Sequence, residues 1–369
     1  MNIPNYFCAG SEMKDLPGGT VENLFLSAVT AGKTETQIRN SMELSECSKS
    51  VNKIVDSGGS TLGIAEKDAL KKRIVLPLNH FITDLNLSPK YVVKTATRLG
   101  ATEFVALDFP IQEVPVSERE AEFKRKLAYN LPWAIKTAEL REKYCPQIGL
   151  LIPVQCFTLQ QLDGFLDGIK DLSFSGLAMP TRAATLTEVA LFLHRFWQAG
   201  IRRVHLLGVS HFLMLALSGY MARHYFDEFS VDSTTWRKQG SKDIYMNPHN
   251  LTKIVLDEHT QIDPKIKMDC GCPWCRNKTF SYVKHLPRPD RCQFLFCHNF
   301  FVISRMCETL YQHAGSIDEL AMFIETRASS GQRQRVKDVD EVQDLIAALS
   351  VIETLKDKDS GYLEKLLIH

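Results

Sequence analysis

No stretch of this chain approaches the ~18 uninterrupted apolar residues that a membrane-spanning helix requires. The opening residues Met1-Asn2-Ile3-Pro4 lack the basic stretch and following apolar run of a secretory leader. These two absences predict a cytoplasmic protein with no membrane partner. Repeats at a solenoid period, low-complexity tracts and long polar linkers are also missing, which argues against repeat arrays and disordered tethers. No glycine-rich phosphate fingerprint follows the first strand-like run, so a doubly wound dinucleotide-binding sheet is the weaker of two α/β readings. Charge of one sign is absent too. The net charge of +1 neither demands nor forbids a nucleic acid, because a basic groove can sit within a neutral total. What is present is a 44% hydrophobic content over 369 residues, enough for a full core without covalent staples.

Ten cysteines are present, six of them between positions 270 and 307, and such crowding fits a reducing compartment. Cys270-Gly-Cys272-Pro-Trp-Cys275 puts three thiols where they can converge on one tetrahedral ion. A disulfide is the plainer alternative, but Cys-x-Cys is a poor disulfide pair. A distant imidazole would complete a Cys3His structural zinc site, closed to water and contributing folding energy. His298 is the preferred fourth ligand, since it opens an apolar segment, Phe300-Phe301-Val302-Ile303, that reads as a buried helix. His285, His313, Cys292, Cys297 and Cys307 compete for the same role.

Short apolar runs recur along the chain: 6–9, 24–27, 53–56, 104–108, 148–155, 174–177, 204–208 and 229–232. Helix-compatible segments follow most of them. One is Thr185–Ala199, where Thr185-x-x-Glu188 forms a capping box ahead of Leu191, Leu193, Phe196 and Trp197. Continuous apolar strands separated by amphipathic helices predict a parallel sheet covered on both faces, and eight of them predict a (β/α)8 TIM barrel. Active sites of such barrels sit at the C-terminal strand ends. Asp56, Asp108, Gln155 and Asp232 close four of these runs. Each alone reads as a helix cap or turn residue; together they predict one polar rim. The domain reading is a barrel over 1–243, a hairpin (Ile244–Val255) with a zinc subdomain over 244–300, and C-terminal helices over 301–369. The last part has apolar positions at Leu320, Met322, Phe323, Leu345, Leu349, Ile352 and Leu355.

In this order the motifs resemble the tRNA-guanine transglycosylase superfamily, and most closely its DNA-modifying, DpdA-type branch of 7-deazaguanine transglycosylases. The resemblance rests on Asp56-Ser57-Gly58-Gly59, Leu107-Asp108-Phe109-Pro110, Val154-Gln155, Gly176-Leu177-Ala178, Leu207-Gly208-Val209, Val231-Asp232-Ser233 and the cysteine signature with His298. It spans roughly residues 6 to 305. Two departures stand out. Ser60-Thr61 follows the glycines where tRNA-acting relatives usually carry an aromatic and a glutamine, and Cys156-Phe157 follows Val-Gln where they carry two glycines.

The resemblance implies base exchange at a glycosidic bond. Asp232 would attack C1′ of a guanosine, and Asp56 would serve as general acid/base for the leaving and entering bases. This is the logic of a retaining glycosidase with a base in place of water. Ser57, Asp108 and Gln155 would line the base pocket, and Gly58-Gly59 would let backbone approach the flat base. Gly176, Leu177, Ala178 and Gly208 would complete it with backbone amides. The implied partners are DNA, with tRNA as the alternative, and a free base such as preQ0; a homodimer is compatible with the reading. A non-catalytic zinc-barrel subunit is the remaining alternative, disfavoured by the presence of both aspartates. Candidate phosphate contacts are Arg237 and Lys238 after the nucleophile, Lys124-Arg125-Lys126, Arg288 with Arg291, and Arg333 to Lys337.

Overall fold

The computed structural model describes residues 5–9, 23–29, 52–181, 184–257, 259–261, 263, 265–328 and 336–356. Eight parallel strands form a closed barrel in sequential order: β1 (Asn5–Ala9), β2 (Asn23–Ser27), β3 (Asn52–Asp56), β4 (Glu103–Val105), β5 (Gly149–Pro153), β6 (Gly176–Pro180), β7 (Arg203–Leu207) and β8 (Glu228–Ser233). Closure is made by β1 on β8, with Phe7 opposite Asp232. The TIM-barrel expectation is met. Alternation of side chains along each strand sorts the interior into layers. Asn5, Asn52, Glu103, Gly149, Arg203 and Glu228 line a cavity at the N-terminal end. Phe7, Phe25, Ile54, Val105, Leu151 and Ala178 fill the middle as one apolar cluster. Asp56, Gln155, Pro180, Leu207 and Asp232 reach the C-terminal mouth.

Helices cover the outside. They include α1 (Gly59–Lys71), α2 (Leu78–Leu85) and α3 (Pro89–Arg98) after β3, and α4 (Arg119–Tyr144) after β4. Beyond them come α5 (Leu159–Ile169), α6 (Leu186–Gln198) and α7 (Phe212–His224). The predicted capping box is formed at α6: Glu188 N–H donates to Thr185 Oγ1, and Thr185 N–H to the Glu188 carboxylate. It satisfies two amides that the first turn would otherwise leave unpaired.

After β8 and the short α8 (Thr235–Gly240), β9 (Ile244–Met246) and β10 (Lys253–Val255) pair antiparallel as the expected hairpin. Then follow α9 (Phe280–Lys284) and the long α10 (Arg288–Gln312). Tyr245, Leu256, Met268, Cys272, Cys275, Val283 and Leu295 form a small core of their own there. His298 does not open its helix. Pro289 starts α10 a turn and more earlier, so His298 lies mid-helix and the boundary expected at 300 falls inside it. Two further helices, α11 (Ile317–Ala328) and α12 (Val336–Lys356), follow, with α12 against α6 and α7. Leu320, Leu345, Leu349, Ile352 and Leu355 are buried as expected, whereas Met322 is exposed. Among the described residues no helix is long and apolar enough to cross a membrane.

Candidate active site and metal centre

Asp56, Asp108, Gln155 and Asp232 line one cavity of about 920 Å³ at the barrel mouth. Asp108 is held from two sides: Gln155 Nε2 donates to Oδ2 at 2.6 Å, and Ser57 Oγ donates to Oδ1 at 3.1 Å. Gln155 is fixed in turn by Ile111 N–H, which donates to Oε1 at 3.3 Å. Behind this pair, Asn130 clamps both the N–H and the C=O of Phe109. On the opposite wall, Gly208 N–H donates to Asp232 Oδ1 at 3.0 Å. Gly208 sits at φ +78°, a left-handed conformation that few other residues adopt readily.

Electrostatics separate these carboxyls. Burial, with Asp108 and Asp232 nearby, pushes Asp56 up from 3.8 to about 7. Burial also raises Asp108, to about 6, although the Gln155 and Ser57 hydrogen bonds work against it. Asp56 is therefore poised to exchange a proton near neutral pH. The rim carries positive charge, with Lys67, Arg119, Arg237 and Lys238 on the cavity wall. Lys67 and Arg119 were missed in the sequence because each stands in an ordinary solvated helix pattern. The Arg119 guanidinium lies 5.3 Å above the Phe157 ring, so Phe157 and Cys156 form part of the same wall.

Several expected site residues have other roles. A Cβ on Gly59 would lie 2.2 Å from Asp108 Oδ1, and one on Gly58 2.1 Å from Val29 Cγ2. The glycine pair thus makes room for the protein's own Asp108 and Val29. Gly176, Leu177 and Ala178 are not at the mouth. The apolar run read as ending at Leu177 is displaced, and β6 begins at Gly176. Gly176 meets the Arg203 backbone, where a Cβ would lie 2.3 Å from the carbonyl oxygen. Leu177 faces the outer helices and Ala178 fills the mid-barrel cluster. Met179 and Pro180 take the place at the cavity.

The basic stretches divide in the same way. Lys126 is fully buried, paired with Glu66 and set 3.6 Å above the Phe109 ring, while Arg125 pairs with Glu66 and Glu122. Arg291 is buried against Asp243 at 2.7 Å. Lys126 and Arg291 are internal ion pairs that present no phosphate contact, whereas Arg125 is exposed with its guanidinium engaged by the two glutamates. Lys124 and Arg288 are exposed, away from the cavity wall. Arg333 to Arg335 lie outside the described residues, as do the side chains of Val336 and Lys337.

Beside the barrel, the ligand atoms of Cys270, Cys272, Cys275 and His298 all fall within 4.8 Å of one another. His298 Nδ1 stands 3.6, 3.5 and 3.2 Å from the three sulfurs, in chain order. Its Nε2 faces Met246 O at 2.9 Å, which fixes the ring with Nδ1 turned to the thiols. Tyr245 stacks on the imidazole at 3.8 Å. These four residues can hold a metal ion. His285, His313, Cys292, Cys297 and Cys307 are not part of the cluster.

Parallel barrels with convergent carboxylates at the C-terminal mouth are an enzyme construction, and here the same chain also carries a Cys3His knuckle. Comparison with known proteins narrows the class. The family model described as queuine tRNA-ribosyltransferase matches residues 22–331, and the chain belongs to that family. Similar proteins include the tRNA-guanine(15) transglycosylases of Pyrococcus abyssi (strain GE5 / Orsay), 28% identical over 129 residues, and of Thermococcus kodakarensis (strain ATCC BAA-918 / JCM 12380 / KOD1), 29% identical over 129 residues. The aligned segment is 35% of this chain, and it spans only 20% of the length of each relative.

Proposed function

We propose that the protein exchanges guanine in a polynucleotide for a 7-deazaguanine base such as preQ0, through a covalent Asp232 glycosyl ester. The observation that carries this reading is the meeting of Asp56 and Asp232 with the Asp108–Gln155 pair in one cavity. An Asp232 oxygen attacks C1′ and the C1′–N9 bond breaks, while Asp56 supplies a proton to the departing ring nitrogen. The entering base gives its N9 proton to Asp56, the C1′–N9 bond re-forms and the ester opens. Protons balance over the cycle, and two displacements give net retention. A near-neutral Asp56 suits both halves. Asp108 and Gln155 together present acceptor and donor groups suited to a guanine edge.

DNA is the preferred polynucleotide. Ser60, Cys156 and Phe157 line the cavity where tRNA-acting relatives usually differ, and Arg237 and Lys238 provide charge for the flanking phosphates. The second reading is tRNA, favoured by the names of the relatives. In either case the target base must leave its stack, because C1′ is shielded within a helix. Labelled guanine and preQ0 should be incubated with duplex DNA, single-stranded DNA and unmodified tRNA. Incorporation into tRNA alone would replace the DNA reading, and incorporation into none would end the exchange reading.

We assign zinc to the Cys3His cluster as a structural ion that clips α10 to the knuckle. Tetrahedral zinc with Zn–S and Zn–N bonds of about 2.3 and 2.0 Å implies S···N edges of roughly 3.5 Å. The observed 3.2–3.6 Å separations fit those edges. Purified protein should contain one zinc per chain, and Cys272→Ala should lose it and unfold more readily.

A further inference from the structure

Inside the barrel lies a polar side chain that base exchange, as described, does not use. His205 is fully buried at mid-barrel, below the mouth, among apolar residues. Its ring stacks on Phe25 at 5.1 Å and meets the edge of Phe7 at 5.8 Å. Nδ1 lies 2.7 Å from Ser230 Oγ. Nε2 makes no well-aligned hydrogen bond, although Asp232 Oδ1 lies 3.4 Å away. A buried ring nitrogen left this way calls for a reason.

The neighbours define the tautomer. Arg203 Nη1 donates to Ser230 Oγ at 2.7 Å, and Arg203 is anchored at its other side by Glu103 at 2.6 Å. Ser230 accepts from the guanidinium and can still give its proton to Nδ1, while the carboxylate oxygen of Asp232 that faces Nε2 can only accept. The imidazole hydrogen then sits on Nε2, aimed at Asp232. Burial holds His205 below its ordinary pKa and hence neutral, although Asp232 and Glu103 pull upward; Arg203 acts with burial. Asp232 Oδ1 thus faces two donors, Gly208 N–H and His205 Nε2–H. Among the described residues none donates a hydrogen bond to Oδ2.

We infer that His205 is a positioning residue for base exchange, donating from Nε2 to Asp232 Oδ1 so that Oδ2 is the oxygen that attacks C1′. The inference rests on the exchange reading above. The chain Glu103–Arg203–Ser230–His205–Asp232 ties the nucleophile to the far end of the barrel. A neutral donor orients the carboxylate without the quenching that an adjacent full cation would impose.

Two measurements test it on the full-length protein. In the exchange assay, His205→Phe keeps a ring but loses the donor, and kcat should fall about 10- to 100-fold with KM for the free base unchanged. His205→Gln, whose amide nitrogen reaches the Nε2 position, should recover most of that loss. Equal losses in two variants that melt like the parent, or a change confined to KM, would overturn the assignment. The second measurement is nitrogen-15 NMR of histidine-labelled parent protein without substrate, which should show Nε2 protonated and Nδ1 bare at neutral pH. A proton on Nδ1, or an imidazolium, would overturn it even if the variants fail to fold. A parent inactive on every polynucleotide would remove the exchange reading, and the tautomer would still decide the contact.

Discussion

The two ends of the barrel are both polar, yet they handle charge in opposite ways. At the N-terminal end, Arg203 lies between Glu103 at 2.6 Å and Glu228 at 3.3 Å, so acids and base offset one another. At the C-terminal mouth, Asp56, Asp108 and Asp232 share a cavity, and their hydrogen bonds come from neutral donors. Burial without a cation in contact raises Asp56 to about 7 and Asp108 to about 6. One end spends its charges on holding the barrel together. The other keeps carboxyls in a state that costs stability and suits proton exchange, the division expected of such barrels.

Substitutions can break this contrast. Removing the proposed nucleophile should have the largest effect: Asp232→Ala should lower base exchange by about 10⁴-fold or more and abolish any covalent adduct, with no loss of stability. An active Asp232→Ala protein would move the nucleophile elsewhere. At the far end the main expected effect is on stability. Arg203→Met leaves Glu103 without its partner and should cost about 3 kcal/mol in urea unfolding. A change below measurement error would show that the N-terminal charges are solvated rather than structural.

The third test uses pH. The Asp56 carboxyl is raised above its ordinary 3.8 to about 7, so between those values the folded protein keeps a proton that the unfolded chain has released. Its favourable contribution is complete below about pH 4 and is lost as pH rises through about 7. Asp56→Asn mimics the neutral form. It should therefore gain on the order of 2 kcal/mol relative to the parent between pH 5 and pH 8, while losing exchange activity. A stability difference independent of pH would refute the raised ionisation.

The barrel was readable because parallel strands buried on both faces are continuous apolar runs. Seven of the eight expected strands lie close to their observed positions. The sixth was displaced: Phe174 and Ser175 look like strand residues, yet Ser175 Oγ accepts from Leu150 N–H ahead of β6. That slip carried Gly176, Leu177 and Ala178 to the wrong end. Lys126 misled in a similar way, since a basic triplet looks the same whether it meets solvent or, as here, Glu66 and the face of Phe109. His205 was passed over within an apolar run, although it shares strand alternation with Arg203, and Ser230 with Asp232.

Sequence by itself determined the three clustered thiols of the Cys3His knuckle and the identities of the rim residues. Ligands with one and two residues between them must share a local turn, and polar residues that close apolar runs fall on the C-terminal side of their strands. Tertiary structure alone decided which imidazole completes the knuckle, because His298 arrives on a helix from outside it. It also decided what surrounds each aspartate. Asp56 meets the charges of Asp108 and Asp232 in one cavity only when the barrel closes with β1 against β8. The raised ionisation of Asp56 and Asp108 depends on that burial, which is a property of the closed barrel rather than of any segment of chain.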